Sequence, residues 1–472
     1  MKQLTIKQKI ADAKKIFLPQ HVAGYTRTII IFTVIGYVIR ALMMPIFAES
    51  DLISLSSVAL YLNDYHKLLP APDPPLIFYI FSSIYTIFNP FFHLNFRDLL
   101  TQTAYTPSAL SNIFRISSPG FIQLVTITKL PYLLFDFAIA FLLLHVIEDG
   151  RKAVLAFELW MLNPFTLYIC YAIGQYDVIP AFFLLLSLYF VKKQKPTWSL
   201  LSVGIASAFK LFTLILIPFF LLANIKSTKS VGAKAKSTIL LLIVALLPVI
   251  LTVVSAAYIP SGYQSANVAL PSNFDLNGYL GHTLYIRGAV QTNPSETLFT
   301  FFLDYSASLK TYSLSSDTIY IVLLSYGLLL LAAIYYGIGS FDRLYKILLA
   351  FLLLYYAFSL FHVQWFLWVQ PLLMLLIAYD RKFLKFYLFL IPLFFIYTWY
   401  WDPATTTNLL APIDNHALFW TGPVNFINNL GLPATEIIGA FRSLFSAVCL
   451  FLAVLIVKPD LFSLFNRNDE KA

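Results

Sequence analysis

Charge is what this sequence has least of. Asp, Glu, Lys and Arg make up 12% of its 472 residues against 59% apolar residues, and the mean hydropathy is +0.76. No soluble fold of this size has an interior able to hide that much apolar surface, so the composition excludes a soluble globular protein and implies a polytopic membrane protein. Cysteine is nearly missing: Cys170 and Cys449 both lie in apolar segments, which excludes an extracytoplasmic disulfide and a cysteine metal site. No Asn-x-Ser/Thr acceptor has a permitted middle residue, because Asn293-Pro294-Ser295 carries proline there, and this points toward a prokaryote. No internal repeat is visible, and KSTKSVGAKAK (Lys226 to Lys236) is the one low-complexity linker.

What is present is a succession of apolar segments. Twelve read as membrane helices: Thr28 to Phe47, Phe121 to Ile147, Ala153 to Ile173, Val178 to Val191, Trp198 to Ala208, Leu211 to Ala223, Ser237 to Ile259, Thr318 to Gly339, Ile347 to Phe361, Val363 to Tyr379, Phe383 to Trp401 and Glu436 to Val457. The pairs around Lys210 and His362 are too short to cross alone. Short helices meeting at a polar residue are tolerated only where they line a protected or watery cavity.

The basic residues orient the chain. With the N-terminus cytoplasmic, every inner segment carries Lys or Arg, while the outer segments hold only Lys67, Arg97, Arg115, Arg287 and Lys310. This places both termini inside, and it makes the net charge of +9 a statement of topology rather than of nucleic-acid binding. It also settles Pro74 to Phe92, which is apolar enough for a span but would invert everything downstream; the expectation is an interfacial helix on the outer surface. The basic N-terminus precedes an apolar run longer than a signal-peptide core, so a retained anchor is expected. The expected organisation is one integral membrane domain, 1–472, with a cytoplasmic N-terminus (1–27), outer loops at 48–120, 260–317 and 402–435, and a cytoplasmic tail (458–472).

The candidate chemistry gathers at the outer ends of the spans. The segment Thr28 to Asp51 carries Arg40, breaks at Pro45 and ends on Glu49 and Asp51, with nothing in it to pair them. A carboxylate at the mouth of a lipid-lined cavity can take a proton from an acceptor hydroxyl; an acidic pair that merely ends a helix is an equal alternative. Gly174-Gln175-Tyr176-Asp177 forms a whole outer turn and is polar, although a tight turn chosen for Gly and Asp is the plainer account. Lys210 interrupts an apolar run and needs an anion there: a lipid phosphate, or Asp136 or Glu158 from neighbouring spans. Arg40 and Arg442 pose the same choice. His362 and Gln364 can hydrogen-bond a phosphate or a sugar hydroxyl, with Trp365 and Trp368 as an aromatic belt or a sugar-stacking face. Lys129 and Asp136, seven residues apart, are assigned a structural role, neutralising each other or a neighbour.

In this order the segments resemble the GT-C superfamily of membrane glycosyltransferases that use polyprenyl-phosphate sugars, closest to its mannosyltransferase-like branch. The resemblance covers about the first half of the chain. It rests on Glu49 and Asp51 after the first helix, Asp73-Pro74-Pro75-Leu76 opening a juxtamembrane helix, Lys129 with Asp136, Leu162-Asn163-Pro164 followed by Gly174-Gln175-Tyr176-Asp177, and Phe209-Lys210 before Pro218. His362 to Pro371, HVQWFLWVQP, looks like the branch's late polar junction.

The resemblance implies an all-α polytopic fold of about twelve transmembrane helices, with short paired helices and juxtamembrane helices in the outer loops. It implies transfer of mannose from a dolichyl- or undecaprenyl-phosphate donor to a lipid-linked or cell-envelope glycan acceptor on the outer face, within membrane lipid and without nucleic acid. Asp51, with Glu49 beside it, would be the general base, and Lys210, His362, Gln364, Arg442, Gln175 and Asp177 would hold the donor's phosphate and sugar. The Glu-Ser-Asp spacing departs from the commoner acidic pairs; it leaves open which carboxylate acts and whether a divalent cation, Mg or Mn, is bound. No other cofactor is implied. The lack of a large soluble C-terminal domain points to a single-sugar transferase.

Two other classes compete. A flippase or transporter suits the broken helices, but it should show repeated halves and a charged site near mid-membrane. An O-antigen-type polymerase or ligase also combines many spans with a large outer loop, yet it would draw on outer arginines, of which only Arg97, Arg115 and Arg287 are available.

Overall fold

Away from water, backbone N–H and C=O groups must be satisfied within the segment, and the apolar stretches meet that demand as helices. The computed structural model describes residues 18–66, 68, 73–92, 119–225, 231–258, 313–314, 317–318, 321–414, 417 and 420–458. Each of the twelve expected segments falls on helix: α1 (Thr26–Ile46), α4 (Pro119–Thr128) running into α5 (Leu130–Val146), α6 (Gly150–Met161), α7 (Val178–Lys192), α8 (Pro196–Phe209), α9 (Ile217–Asn224), α10 (Val231–Tyr258), α11 (Ile321–Tyr336), α12 (Phe341–Phe358), α13 (Gln370–Tyr379), α14 (Leu384–Tyr397) and α16 (Ala434–Val457). Three more helices lie in the expected outer loops: α2 (Ser50–Tyr65), α3 (Leu76–Phe92) and α15 (Pro423–Asn429). The only strands among the described residues are the antiparallel pair Ser313–Leu314 and Asp317–Thr318.

By length and composition, Gln20–Ile46, Ile122–Val146, Gly150–Ile173, Val231–Ala256, Arg381–Trp401 and Ala434–Val457 can cross a membrane, with Leu76–Pro90, Val178–Lys192, Leu211–Asn224, Ile321–Tyr336 and Val363–Tyr379 as shorter apolar helices. The protein is an all-α integral membrane protein. Both expected junctions of short helices are present. After α8 the chain breaks at Lys210 and resumes as a 3-10 turn, Leu211–Leu216, leading into α9. After α12 it breaks again, and the 3-10 turn Val363–Val369 leads into α13.

Helix α7 packs between α5 and α8, α8 packs on α10, α6 on α5 and α13, and α16 on α12 and α14. The α8–α10 contact is nearly backbone to backbone: a Cβ on Gly204 would stand 2.1 Å from the carbonyl oxygen of Ala245, the close approach that small residues permit between membrane helices. Because the obstacle is backbone, Gly204→Val is expected to destabilise the fold by about 1–3 kcal/mol. The readout is a lower unfolding midpoint in detergent; an unchanged midpoint contradicts this packing.

The structure decides several points that the sequence left open or read otherwise. The segment after α1 begins with sixteen helical residues, Ser50–Tyr65, packed on α3, a helix the sequence reading did not mark. Helix α1 continues through Pro45 to Ile46, and buried Lys129 donates to the carbonyl oxygens of Met44 and Phe47 at its end. Asp136 pairs with a neighbour, Arg40, at 2.5 Å and fully buried, which is one of the two partners its structural role allowed. Lys210 pairs with Asp73 and not with Asp136 or Glu158. Cys170 and Cys449 are buried and unpaired. The basic N-terminus to residue 17, Lys67, Arg97, Arg115, Arg287 and Lys310, most of the loop 260–317 and the tail beyond 458 lie outside the described residues.

Candidate active site

The site forms where the end of α1 meets the starts of α2 and α7. Glu49 has extended backbone and caps α2: its carboxylate accepts the Asp51 N–H at 2.7 Å, and its own N–H donates to Ile173 O at 3.3 Å. Glu49 is 8% exposed. Asp51, in the first turn, is partly exposed. The cap thus separates the two carboxylates: Glu49 is engaged in holding the helix start, and Asp51 is presented at the helix N-terminus, where the aligned peptide dipoles favour a negative charge. The segment after α14 braces this corner, since Ala48 N–H donates to Leu409 O at 3.0 Å and the Tyr168 hydroxyl donates to Thr405 O.

A π-helical stretch, Leu167–Ile173, ends at Gly174 in the left-handed region, φ 86°. A Cβ there would lie 2.8 Å from the Leu52 side chain, so glycine lets the turn press against α2. That contact brings Gln175 to Asp51, with Nε2 donating to Oδ2 at 3.3 Å. The next residue, Tyr176, donates its hydroxyl to Asp73 Oδ1. Asp177 is fully buried; Trp368 Nε1 donates to its Oδ1 at 2.8 Å, and its Oδ2 has no hydrogen-bond partner among the described residues. Burial pushes the Asp177 carboxyl up to about 6, against the pull of the Lys210 charge.

Lys210 closes the cluster from the other side. It sits in extended backbone at the end of α8, its Nζ donating to Asp73 Oδ1 at 2.8 Å and lying 4.3 Å from the centre of the Tyr176 ring. Asp73, Asp177 and Asp51 all act on its charge. The other described cations inside the bundle are more fully engaged. Lys129 gives its three N–H groups to three carbonyl oxygens, of Met44, Phe47 and Tyr171. Arg40 donates to Asp136 and to the carbonyls of Gly36 and Met161. Arg442 caps the end of α12 through Tyr356 O and Ser359 O, both at 2.7 Å, and also donates to Ser446 Oγ. Lys210 has one hydrogen-bond acceptor among the described residues, and its side chain is 14% exposed. A lysine ammonium has three donors, and the described residues take up one of them.

His362 precedes the turn Val363–Val369, with its ring 5.2 Å from Trp365 and 5.7 Å from Trp401. Trp365 stacks on Trp368 at 5.8 Å and Trp368 on Phe212 at 4.8 Å. This file of rings runs from the Asp177 corner to His362. Trp365 and Trp368 are buried, which makes them neither an outer belt nor an open stacking face. Gln364 is partly exposed. Asn163 caps the helical run after α6 and donates to Gln370 Oε1 at 3.2 Å.

Asp51, Gln175, Asp177 and Lys210 are therefore brought together, His362 lies along the aromatic file, and Arg442 is engaged at the α12 end. Sequence reasoning assigned no role to Asp73 or to Tyr176. Asp73 stood only as the residue before Pro74-Pro75, and its partner lies 137 positions away. Among the described residues no group of three or more His, Cys, Asp and Glu side chains is placed to hold a metal ion.

Residues 120–354 match the model of glycosyltransferase family 87, a range that holds Gln175, Asp177 and Lys210 but not Glu49, Asp51, Asp73, His362, Gln364 or Arg442. Comparison with curated proteins finds no match. Among solved structures the chain is similar to ArnT from Cupriavidus metallidurans bound to undecaprenyl phosphate, at 12% identity and a TM-score of 0.42, over 92% of this chain and 79% of that one.

Proposed function

We propose that this membrane glycosyltransferase, identified as one by its family 87 segment, moves a single sugar, mannose, from a polyprenyl-phosphate donor to a lipid-linked or cell-envelope acceptor on the outer face of the membrane. The observation that carries the reading is the convergence of a partly exposed carboxylate, Asp51, and a lysine with one donor taken up among the described residues, Lys210, through Gln175 and Tyr176 of one turn. In the transfer, the acceptor hydroxyl gives its proton to Asp51 and its oxygen bonds to the anomeric carbon. The bond from that carbon to the phosphate oxygen breaks, and the departing polyprenyl phosphate keeps the electron pair. The negative charge growing on the phosphate is met by the Lys210 ammonium, at a place largely withdrawn from water where such an interaction is strong. Alignment of donor and acceptor supplies much of the remainder.

The outer-face assignment is supported by where the basic residues fall. Lys192 and Lys193 stand at the end of α7 opposite Asp177, and Arg151 and Lys152 open α6 at that same remote end, the pattern of a cytoplasmic face. A transporter is less well supported, because the cluster lies at helix termini rather than along a central pair of broken repeats.

The test uses the purified protein in nanodiscs with radiolabelled polyprenyl-phosphate mannose, glucose or arabinose and a crude envelope acceptor. The mannose donor is expected to be consumed with release of polyprenyl phosphate. Release from none of the donors, or passage of intact donor across the bilayer without release, overturns the reading. In the same assay Lys210→Gln is expected to lower kcat about a hundredfold, the scale for loss of one donor to a developing anion. A wild-type rate would remove Lys210 from the step.

A further inference from the structure

We infer that Asp73 is a positioning residue for this transfer: together with Tyr176 it holds the Lys210 ammonium where the departing phosphate needs it. The inference rests on the proposed function and adds to it a residue from outside the family-matched range.

A lysine side chain is a flexible stem carrying a point charge, so a useful ammonium must be held by something other than its own backbone. Lys210 is held from two directions. Asp73 Oδ1 accepts its Nζ–H at 2.8 Å, and the face of the Tyr176 ring lies 4.3 Å beneath the same nitrogen. Tyr176 then links the two ends of the arrangement, because its hydroxyl donates to that same Asp73 oxygen and also lies 3.3 Å from the carbonyl oxygen of Phe209, the residue before Lys210. The triangle Asp73, Tyr176, Lys210 is closed, and it uses up only one of the ammonium's three donors.

The contrast with the Arg40–Asp136 pair argues against a purely structural role. Arg40 and Asp136 are both wholly inaccessible, and the arginine donates to one carboxylate and two carbonyls. The Lys210 and Asp73 side chains keep 14% and 19% exposure, which is what an ammonium awaiting an external anion requires. Three carboxylates act on one lysine here, and Asp73 directs the charge without neutralising the whole cluster.

The experiment is a double-mutant cycle on polyprenyl phosphate release in nanodiscs, with wild type, Asp73→Asn, Lys210→Gln and the double variant. Asp73→Asn is expected to lower kcat about 10- to 100-fold, the scale of a misplaced catalytic group, with the donor KM changed less than about threefold and partial recovery in Asp73→Glu. Because Asp73 acts through Lys210, the double variant should be no slower than Lys210→Gln alone. Should Asp73→Asn fail to fold, as read by its unfolding midpoint, Tyr176→Phe keeps the ring beneath Nζ and removes only the hydroxyl, and it should show the same non-additivity with Lys210→Gln. A wild-type rate in the folded Asp73→Asn or Tyr176→Phe variant, or a double variant slowed by the product of the two single effects, overturns the inference while the proposed function stands. A wild-type protein that releases no polyprenyl phosphate overturns both.

Discussion

Asp51→Asn is expected to cut sugar transfer by about 10²- to 10⁴-fold, the range a positioned general base contributes, while the protein inserts and unfolds as the wild type does. The expectation of an intact fold comes from the local structure. Asparagine is isosteric, keeps an oxygen for the Gln175 Nε2 that now reaches Oδ2 at 3.3 Å, and does not disturb the cap, which Glu49 supplies through the backbone N–H of position 51. What the amide cannot do is take up a proton at neutral pH. Glu49→Gln gives the matching control, because its amide oxygen still accepts the capping N–H and activity should fall only a few-fold, the cap being worth about 1 kcal/mol. If the two variants exchanged effects, with Glu49→Gln inactive and Asp51→Asn active, the assignment of the base would move to Glu49.

The second large effect concerns stability rather than rate. Asp136→Ala is expected to destabilise the fold by about 3–5 kcal/mol, because removing one partner of a buried ion pair strands the other charge. Arg40 would be that charge, wholly buried, with its Nε and Nη2 left without their acceptor. The loss reaches further, since the Tyr171 hydroxyl at 2.8 Å and the Trp160 indole N–H at 2.7 Å also donate to this carboxylate. An unfolding curve in detergent reads the result: a large fall in midpoint or outright aggregation for Asp136→Ala, with part of the loss recovered when Arg40→Met removes the stranded charge as well. Equal midpoints for Asp136→Ala and wild type would mean that the pair does not organise α1, α5 and α6.

The helices were legible because an apolar stretch in lipid has few alternatives, and the twelve segments predicted from hydropathy all coincide with helix. The two interrupted pairs were legible for a related reason, since Lys210 is the one charge in its run and the His362 junction gathers polar groups in a run that carries no Lys, Arg, Asp or Glu. Helix α2 was missed because Ser50–Tyr65 mixes serines, Asn63 and Asp64 with its leucines, and a helix that packs on α3 instead of spanning the bilayer leaves no hydropathy peak. Partner choice among the charges was the least legible part. Lys129 and Asp136 share a helix face in sequence, yet each turns to a different neighbour: Lys129 to the open carbonyls at the end of α1, and Asp136 to Arg40. Those choices are fixed by where unsatisfied groups fall in space. The same holds for Asp73 and Lys210, whose contact depends on how the chain before α3 lies against the end of α8.

The catalytic reading depends on Asp51 standing open to the exterior beside a place for a phosphorylated isoprenoid, and side-specific labelling tests this most directly. A single-cysteine protein carrying Asp51→Cys, with Cys170 and Cys449 replaced by alanine, would be treated with a membrane-impermeant thiol reagent in right-side-out and inverted vesicles, with and without undecaprenyl phosphate. The account predicts modification in the right-side-out vesicles, slowed by undecaprenyl phosphate. Modification only in the inverted vesicles, or an outer rate that undecaprenyl phosphate leaves unchanged, would contradict it.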